Sequence, residues 1–359
     1  MNISDKAKGI VDSCRFCWMC RHLCPVGNAT GQERNTARAR ALAVSLVVRG
    51  AEKIDDIVDN IYECSLCGAC TNNCVTGWDP KVFVQETKTA AVMEGAIPSY
   101  IMALLEKYVA EGNIYGETVC TCLDSLFGRE ADTLFFPGAD AIFCVPEAVR
   151  NSAALLESAG VSFTLDREAL DSGETLWFLT GKTAETQAAM QACAAMMNKY
   201  KTVVVYDPAD LALMLHEYRE WGIEVTARLV SFNDFLLELV KEGKLTPKKG
   251  TTAYTLQDSY AYARELDDCT SGRELIALCG ENREMLLNGK EANLAGSLIM
   301  NAYMPAVMEG VARNRWINAR NMDCFTLVTE NPAEYVLLRA TAPEGYRVLT
   351  VEDMLLENL

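Results

Sequence analysis

Apolar positions recur at helical spacing through the first third of the chain and then change texture. The stretches "TARARALAVSLVVR" (36–49) and "EKIDDIVDNIYE" (52–63) each carry an apolar stripe of period near 3.6 and are parted by Gly50. Asp79 and Pro80 supply a cap and a first helical residue for "DPKVFVQETKTAAVMEG", and a further helix is expected from Ser99 to Glu111. Residues 1–115 therefore read as one all-helical domain. From residue 131 short apolar runs alternate with helical patterns: "TLFFPG", a helix over 146–159, "VSFTL", "LWFLT", a helix over 183–199, "TVVVYD" and a helix over 208–221. Such alternation predicts α/β layers. The lysine-rich "KEGKLTPKKGT" (241–251) reads as a linker. Beyond it the pattern resumes with "TAYTL", helices near 258–266 and 291–313, the strand "CFTLVTE" (324–330) and a helix from Pro332.

The expected architecture is thus α+β and multi-domain, with a helical domain at 1–115 and α/β units at 131–245 and 251–359. A weak repeat links the two units. "VVVYDPADLALML" (203–215) and "FTLVTENPAEYVLL" (325–338) share strand, polar residue, Pro, Ala, acidic residue and helix. Duplication explains the match, and so does independent recurrence of a good helix start, with proline at the first position and Asp207 or Asn331 as cap.

Half of the 359 residues are apolar, enough for a sizeable core. No apolar run approaches the roughly 20 residues needed to cross a bilayer, and "MNISDKAKGIVDSC" lacks the apolar centre of a signal peptide, so a cytoplasmic protein is expected. The net charge of −16 argues against a broad nucleic-acid or anionic-membrane surface. Fifteen cysteines in a reducing compartment point to metal rather than to a disulfide framework.

Eight of those cysteines fall in two sets: Cys14, Cys17, Cys20 and Cys24, and Cys64, Cys67, Cys70 and Cys74. Both have the C-x2-C-x2-C-x3-C spacing that holds 4Fe-4S clusters. Three close thiolates on a turning backbone reach three irons of one cube, and the fourth points away toward the other cube. The expected ligands are Cys14, Cys17, Cys20 and Cys74 for one cluster and Cys64, Cys67, Cys70 and Cys24 for the other. A pair of zinc sites is the competing reading, but tetrahedral zinc has no use for a third cysteine at the same spacing, twice over. With all four ligands supplied, neither cluster keeps an open iron, which favours electron transfer over substrate chemistry.

The N-terminal part, with "GQERNTARARAL" between the sets and "IYECSLCGACTNNC" at the second, resembles the di-cluster helical ferredoxin domain of glycolate oxidase iron–sulfur subunits, anaerobic glycerol-3-phosphate dehydrogenase C subunits and heterodisulfide reductase. In that superfamily two cysteine-rich domains follow, each marked by a Cys, a Cys-Cys-Gly and a Cys-Pro-x-Cys. The resemblance places Ala139, then Asp171, Ser172 and Gly173, then "DPAD" (207–210) on that pattern in the first unit. In the second it places Tyr260, then Leu294, Ala295 and Gly296, then "NPAE" (331–334). The resemblance thus implies two degenerate CCG-type repeats that keep Gly173, Gly296, Pro208 and Pro332 and have lost every ligand cysteine.

Cys120, Cys122, Cys144, Cys193, Cys269, Cys279 and Cys324 fall outside the pattern. Cys122, Cys144, Cys193 and Cys324 have apolar neighbours and read as small buried hydrophobes. His22 and His216 are too few for a histidine-based catalytic constellation, and no G-x-G-x-x-G or phosphate loop follows a strand, so no flavin or nucleotide is expected on this chain. The reading is an electron-transfer subunit with two 4Fe-4S clusters in a multi-subunit, hetero-oligomeric oxidoreductase, with a flavin-dependent dehydrogenase as the partner that the resemblance implies. A catalytic subunit with unusually ligated clusters and an iron–sulfur redox sensor or scaffold are the alternatives. Arg15, Arg21, Arg34, Arg38 and Arg40 surround set one, whereas Asp55, Asp56, Asp59, Glu63 and Asp79 surround set two. On that charge pattern the cluster of Cys14, Cys17, Cys20 and Cys74 is expected to have the higher potential.

Overall fold

The computed structural model describes residues 1–359. No strand forms before residue 133, and the helices Asp5–Asp12, Ala37–Val48, Pro80–Glu94 and Ser99–Glu111 make up most of the N-terminal part. Thr36 and Asp79 cap the second and third of these with side-chain oxygens that accept from Ala39 and Lys81 backbone N–H groups. Val44, Phe83, Val84 and Ile101 of these helices, with Ile61 and Tyr62 of the short helix Val58–Tyr62, share one core with Phe178, Leu294, Met308 and Val311 from later in the chain.

Two parallel sheets follow. Strands β1 (Thr133–Phe136), β2 (Thr202–Val205) and β3 (Arg228–Ser231) pair in that order. Strands β4 (Ala253–Gln257), β5 (Glu281–Asn282), β6 (Thr326–Thr329) and β7 (Arg347–Thr350) pair in the order β5-β4-β6-β7. A single bridge from Leu134 to Thr164 stands where β5 stands in the second sheet, so the two units share one strand order. In both, a π-helical turn follows the first strand, at Asp140–Cys144 and at Ala261–Glu265. Phe135, Val204, Leu256 and Leu327 belong to one continuous core that spans both sheets.

Three sequence expectations need correction. "LWFLT" is helical (Glu174–Thr180), started by Gly173 at φ +88°. A short apolar run is ambiguous between strand and helix, and here it is apolar because it is covered from two sides: Phe178 and Leu179 join the helical-domain core, and Leu179 O accepts from Tyr62 Oη at 2.7 Å. "VSFTL" supplies only the isolated bridges at Thr164 and Leu165. The helix expected over 291–313 is two helices, Leu298–Asn301 and Pro305–Arg320, broken before Pro305. At Gly310 the second of these approaches the helix Pro25–Thr30 so closely that an added Cβ would lie 3.3 Å from Ala29 Cβ.

Candidate metal centres

The two cysteine loops wind alike. Phe16 and Trp18 in the first, and Leu66 and Gly68 in the second, all have left-handed backbone, with φ of +52°, +70°, +55° and +71°. These are the second and fourth residues after Cys14 and Cys64. Three bulky residues in that region each cost about 1–2 kcal/mol. In each loop the three successive cysteines line one cavity.

The cavities these loops form are mixed. One, of about 130 Å³, is lined by Cys14, Cys17, Cys20 and, from the other motif, Cys74 and Cys70, with Trp18 and Trp78 as apolar walls; Cys70 lines the second cavity as well. The guanidinium of Arg38 stacks 3.4 Å from the Trp18 ring centre. The second, tighter at about 30 Å³, is lined by Cys64, Cys67, Cys70 and Cys24, with Pro25, Leu66 and Val84. Burial, and then Cys64, Cys67 and Cys24, push the Cys70 thiol well above its ordinary value. Burial also raises Cys24, against the pull of Arg40. Ionising these clustered thiols costs burial and mutual repulsion, and a cationic metal centre that takes them as thiolates would offset both.

Charges are not where sequence distance suggests. Arg40 is 1% exposed and lies against the second cavity instead of the first. Its Nε donates to Asn60 O at 2.8 Å, its Nη1 donates to Asn35 O, and its buried Nη2 has no partner. Cys24 Sγ shares the Asn35 carbonyl at 3.2 Å. Glu63, counted among the acids of set two, is held by Arg34 Nη2, Asn35 Nδ2 and Asn60 Nδ2. Lys88, fully buried, donates to Phe178 O at 2.7 Å and stands 3.9 Å from the Phe178 ring centre. Burial lowers Lys88 to about 7, and Cys64 works in the opposite direction. Arg264, from the π-turn of the second α/β unit, donates to Cys67 O at 2.6 Å and to Ala292 O, clasping the second loop to the rest of the molecule. His22 is exposed; His216, also exposed, has Nε2 2.8 Å from Glu265 O in the wall of a cavity of about 390 Å³.

The positions chosen in the α/β units converge. Ala139, Asp171, Asp207, Asp210, Tyr260, Gly296 and Asn331 line one small cavity, with Asp140 and Glu174 beside them. It spans both units, and Asn331 Nδ2 donates to Asp207 Oδ1 at 3.1 Å across their junction. In each unit the acid that ends the motif meets the middle residue of the glycine triplet: Ser172 Oγ donates to Asp210, and Ala295 N donates to Glu334 Oε1 at 2.9 Å. No cysteine lines this cavity. Burial, with neighbouring carboxylates adding to it, raises Asp140 to about 6 and Asp207 to about 8. Burial likewise raises Asp171, and raises Asp210 and Glu174 well above the carboxylate range.

Of the scattered cysteines, Cys193, Cys279 and Cys324 are buried and Cys144 is half-buried. Cys122 is a correction: it is exposed and joined to Cys120 in a disulfide. Arg40, Lys88 and Arg264 are the residues whose place sequence reasoning missed. Arg40 had one available signal, its place on the same helix face as Ala37, Ala41, Val44 and Val47; Arg264 had none.

No helix is long and apolar enough to cross a membrane. No curated protein matches the chain. Residues 10–78 match the family model described as a 4Fe-4S dicluster domain, which supports iron–sulfur cofactors and an electron-transfer role for this ferredoxin-type N-terminal part.

Proposed function

We propose that the chain is the electron-transfer subunit of a multi-subunit oxidoreductase in the cytoplasm. It would hold one 4Fe-4S cluster on Cys14, Cys17, Cys20 and Cys74 and another on Cys64, Cys67, Cys70 and Cys24, and relay electrons between a flavin-dependent dehydrogenase and a downstream acceptor. A 4Fe-4S cluster fully ligated by thiolates supplies one-electron transfer and no open coordination site. The observation that supports the reading is that Cys74 lines the cavity of the first motif and Cys24 that of the second, with Cys70 in the wall between them. The protein's own part is to present four thiolates to each centre, to exclude water with Trp18, Trp78, Leu66 and Val84, and to fix the second loop through Arg264.

The α/β units fit a platform descended from CCG-type repeats. Their motif positions meet in one cavity, as ligands of a metal centre would, but offer carboxyl and hydroxyl oxygens. Soft iron–sulfur centres are held by thiolates, so the catalytic reading loses its donors. Iron and sulfide analysis of the anaerobically purified chain tests the whole reading. About eight irons are expected, falling to about four in Cys24→Ser and in Cys74→Ser with a different EPR signal lost in each. About sixteen irons, or loss of the same signal from both variants, would overturn it.

A further inference from the structure

We infer that the guanidinium of Arg40 is the fixed positive counter-charge of the second centre and holds its reduction potential up. This rests on the cluster assignment proposed above and adds the residue that tunes one of the two centres.

Arg40 is a buried cation without an anion. It makes no ion pair, and the carboxylate nearest in the network, Glu63, is engaged by Arg34, Asn35 and Asn60. Nη2 is shut off from solvent and has no acceptor. An ammonium or a carboxyl in such a place can shed or take a proton; a guanidinium cannot. A permanent charge buried alone is strongly destabilising, because nothing replaces its hydration. The lining of the second cavity by Arg40 itself, with Cys24, Cys64, Cys67 and Cys70, supplies the missing partner: four thiolates around a 4Fe-4S cluster form an anion. Reduction adds one electron and breaks or forms no bond, so that anion gains one negative charge. A cation close by in a low-dielectric wall stabilises the reduced form more than the oxidised form. Arg38 provides the contrast at the first cavity. It is paired with Glu33 at 2.8 Å, stacked on the half-exposed Trp18, and screened.

The test is an EPR-monitored potentiometric titration of the full chain with its clusters, using dithionite and mediator dyes, on wild type, Arg40→Gln, Arg40→Lys and Arg38→Gln. The second centre is the signal that disappears in Cys24→Ser. In Arg40→Gln the reduced-to-oxidised ratio of that centre at a fixed potential should fall ten- to a hundredfold, a midpoint shift of about 59 mV per factor of ten. Arg40→Lys should stay within about threefold of wild type, and Arg38→Gln should move the second centre less than that. A ratio in Arg40→Gln within about twofold of wild type, with about eight irons present, overturns the role of Arg40 and leaves the cluster assignment standing. A wild-type chain without the clusters removes both. If Arg40→Gln does not retain the second centre, retention in Arg40→Lys supports the counter-charge, and loss from both overturns it.

Discussion

Glu334 is fully buried, its Oε1 accepts from Ala295 N at 2.9 Å and Gln257 Nε2 at 3.2 Å, and its Oε2 has no partner. Burial pushes it up to about 8; hydrogen bonds from Ala295 and Gln257, and the charge of Arg315, pull the other way. In the unfolded chain the same carboxyl titrates near 4.3. Between those values the folded state holds a proton that the unfolded state has released, so stability falls as pH rises from about 4.3 to about 8 and then levels off. For this one group the loss is about 1.5 kcal/mol at pH 5.5 and about 4 kcal/mol at pH 7.5, at 1.36 kcal/mol per pKa unit. Glu334→Gln keeps the Oε1 acceptor and the shape of the neutral carboxyl while removing the titration. Urea unfolding followed by far-ultraviolet circular dichroism, with wild type and variant carrying the same cofactors, should show the variant gaining on wild type by about 2–3 kcal/mol between pH 5.5 and 7.5. Parallel pH profiles would refute the neutral buried carboxyl, and with it the view that the second unit closes its motif with a proton and not a metal.

Two further outcomes are expected. Phe135→Ala removes a fully buried ring that packs on Phe163, Tyr206 and Phe232, and should cost about 3–5 kcal/mol, read as a lowered unfolding midpoint, while the EPR signals of the N-terminal centres persist. Loss of both signals would mean that the domains do not fold separately. Arg264→Met severs the clasp on Cys67 O and should cost about 2 kcal/mol, visible as faster loss of the second centre to a chelator with the first unaffected; equal rates for both centres would count against it.

What the sequence disclosed depended on whether the signal was local. The cysteine loops were legible because ligand spacing is a property of neighbouring residues, and the helix starts at Pro208 and Pro332 because a cap and a proline act within one turn. The helical state of "LWFLT" was not, since its apolar run is set by Tyr62, Gln85 and Lys88, whose side chains all reach its backbone carbonyls. The motif positions near 139, 171, 207, 260, 296 and 331 were assigned one at a time along the chain, and their meeting in a single cavity depends on how the two sheets face each other. Charge placement was the least legible. Arg40 is 16 residues after Cys24 and 24 before Cys64, so sequence distance assigned it to the first motif, while the helix that carries it turns it inward against the second.

The acid-lined cavity and Arg40 differ in what they require. Asp140, Asp171, Glu174, Asp207 and Asp210 crowd one cavity with no lysine or arginine paired to any of them, which as five anions would be untenable. Each can be neutralised by a proton, and burial shifts every one of them in that direction. Protons can thus relieve the crowding of these acids, which by themselves imply no metal. Lys88 has the same way out, and burial shifts it in that direction. Arg40 has none, since its charge persists at every accessible pH. Among the residues that line the cysteine cavities it is the fully buried permanent cation outside any ion pair, and the counter-charge role proposed for it rests on that placement.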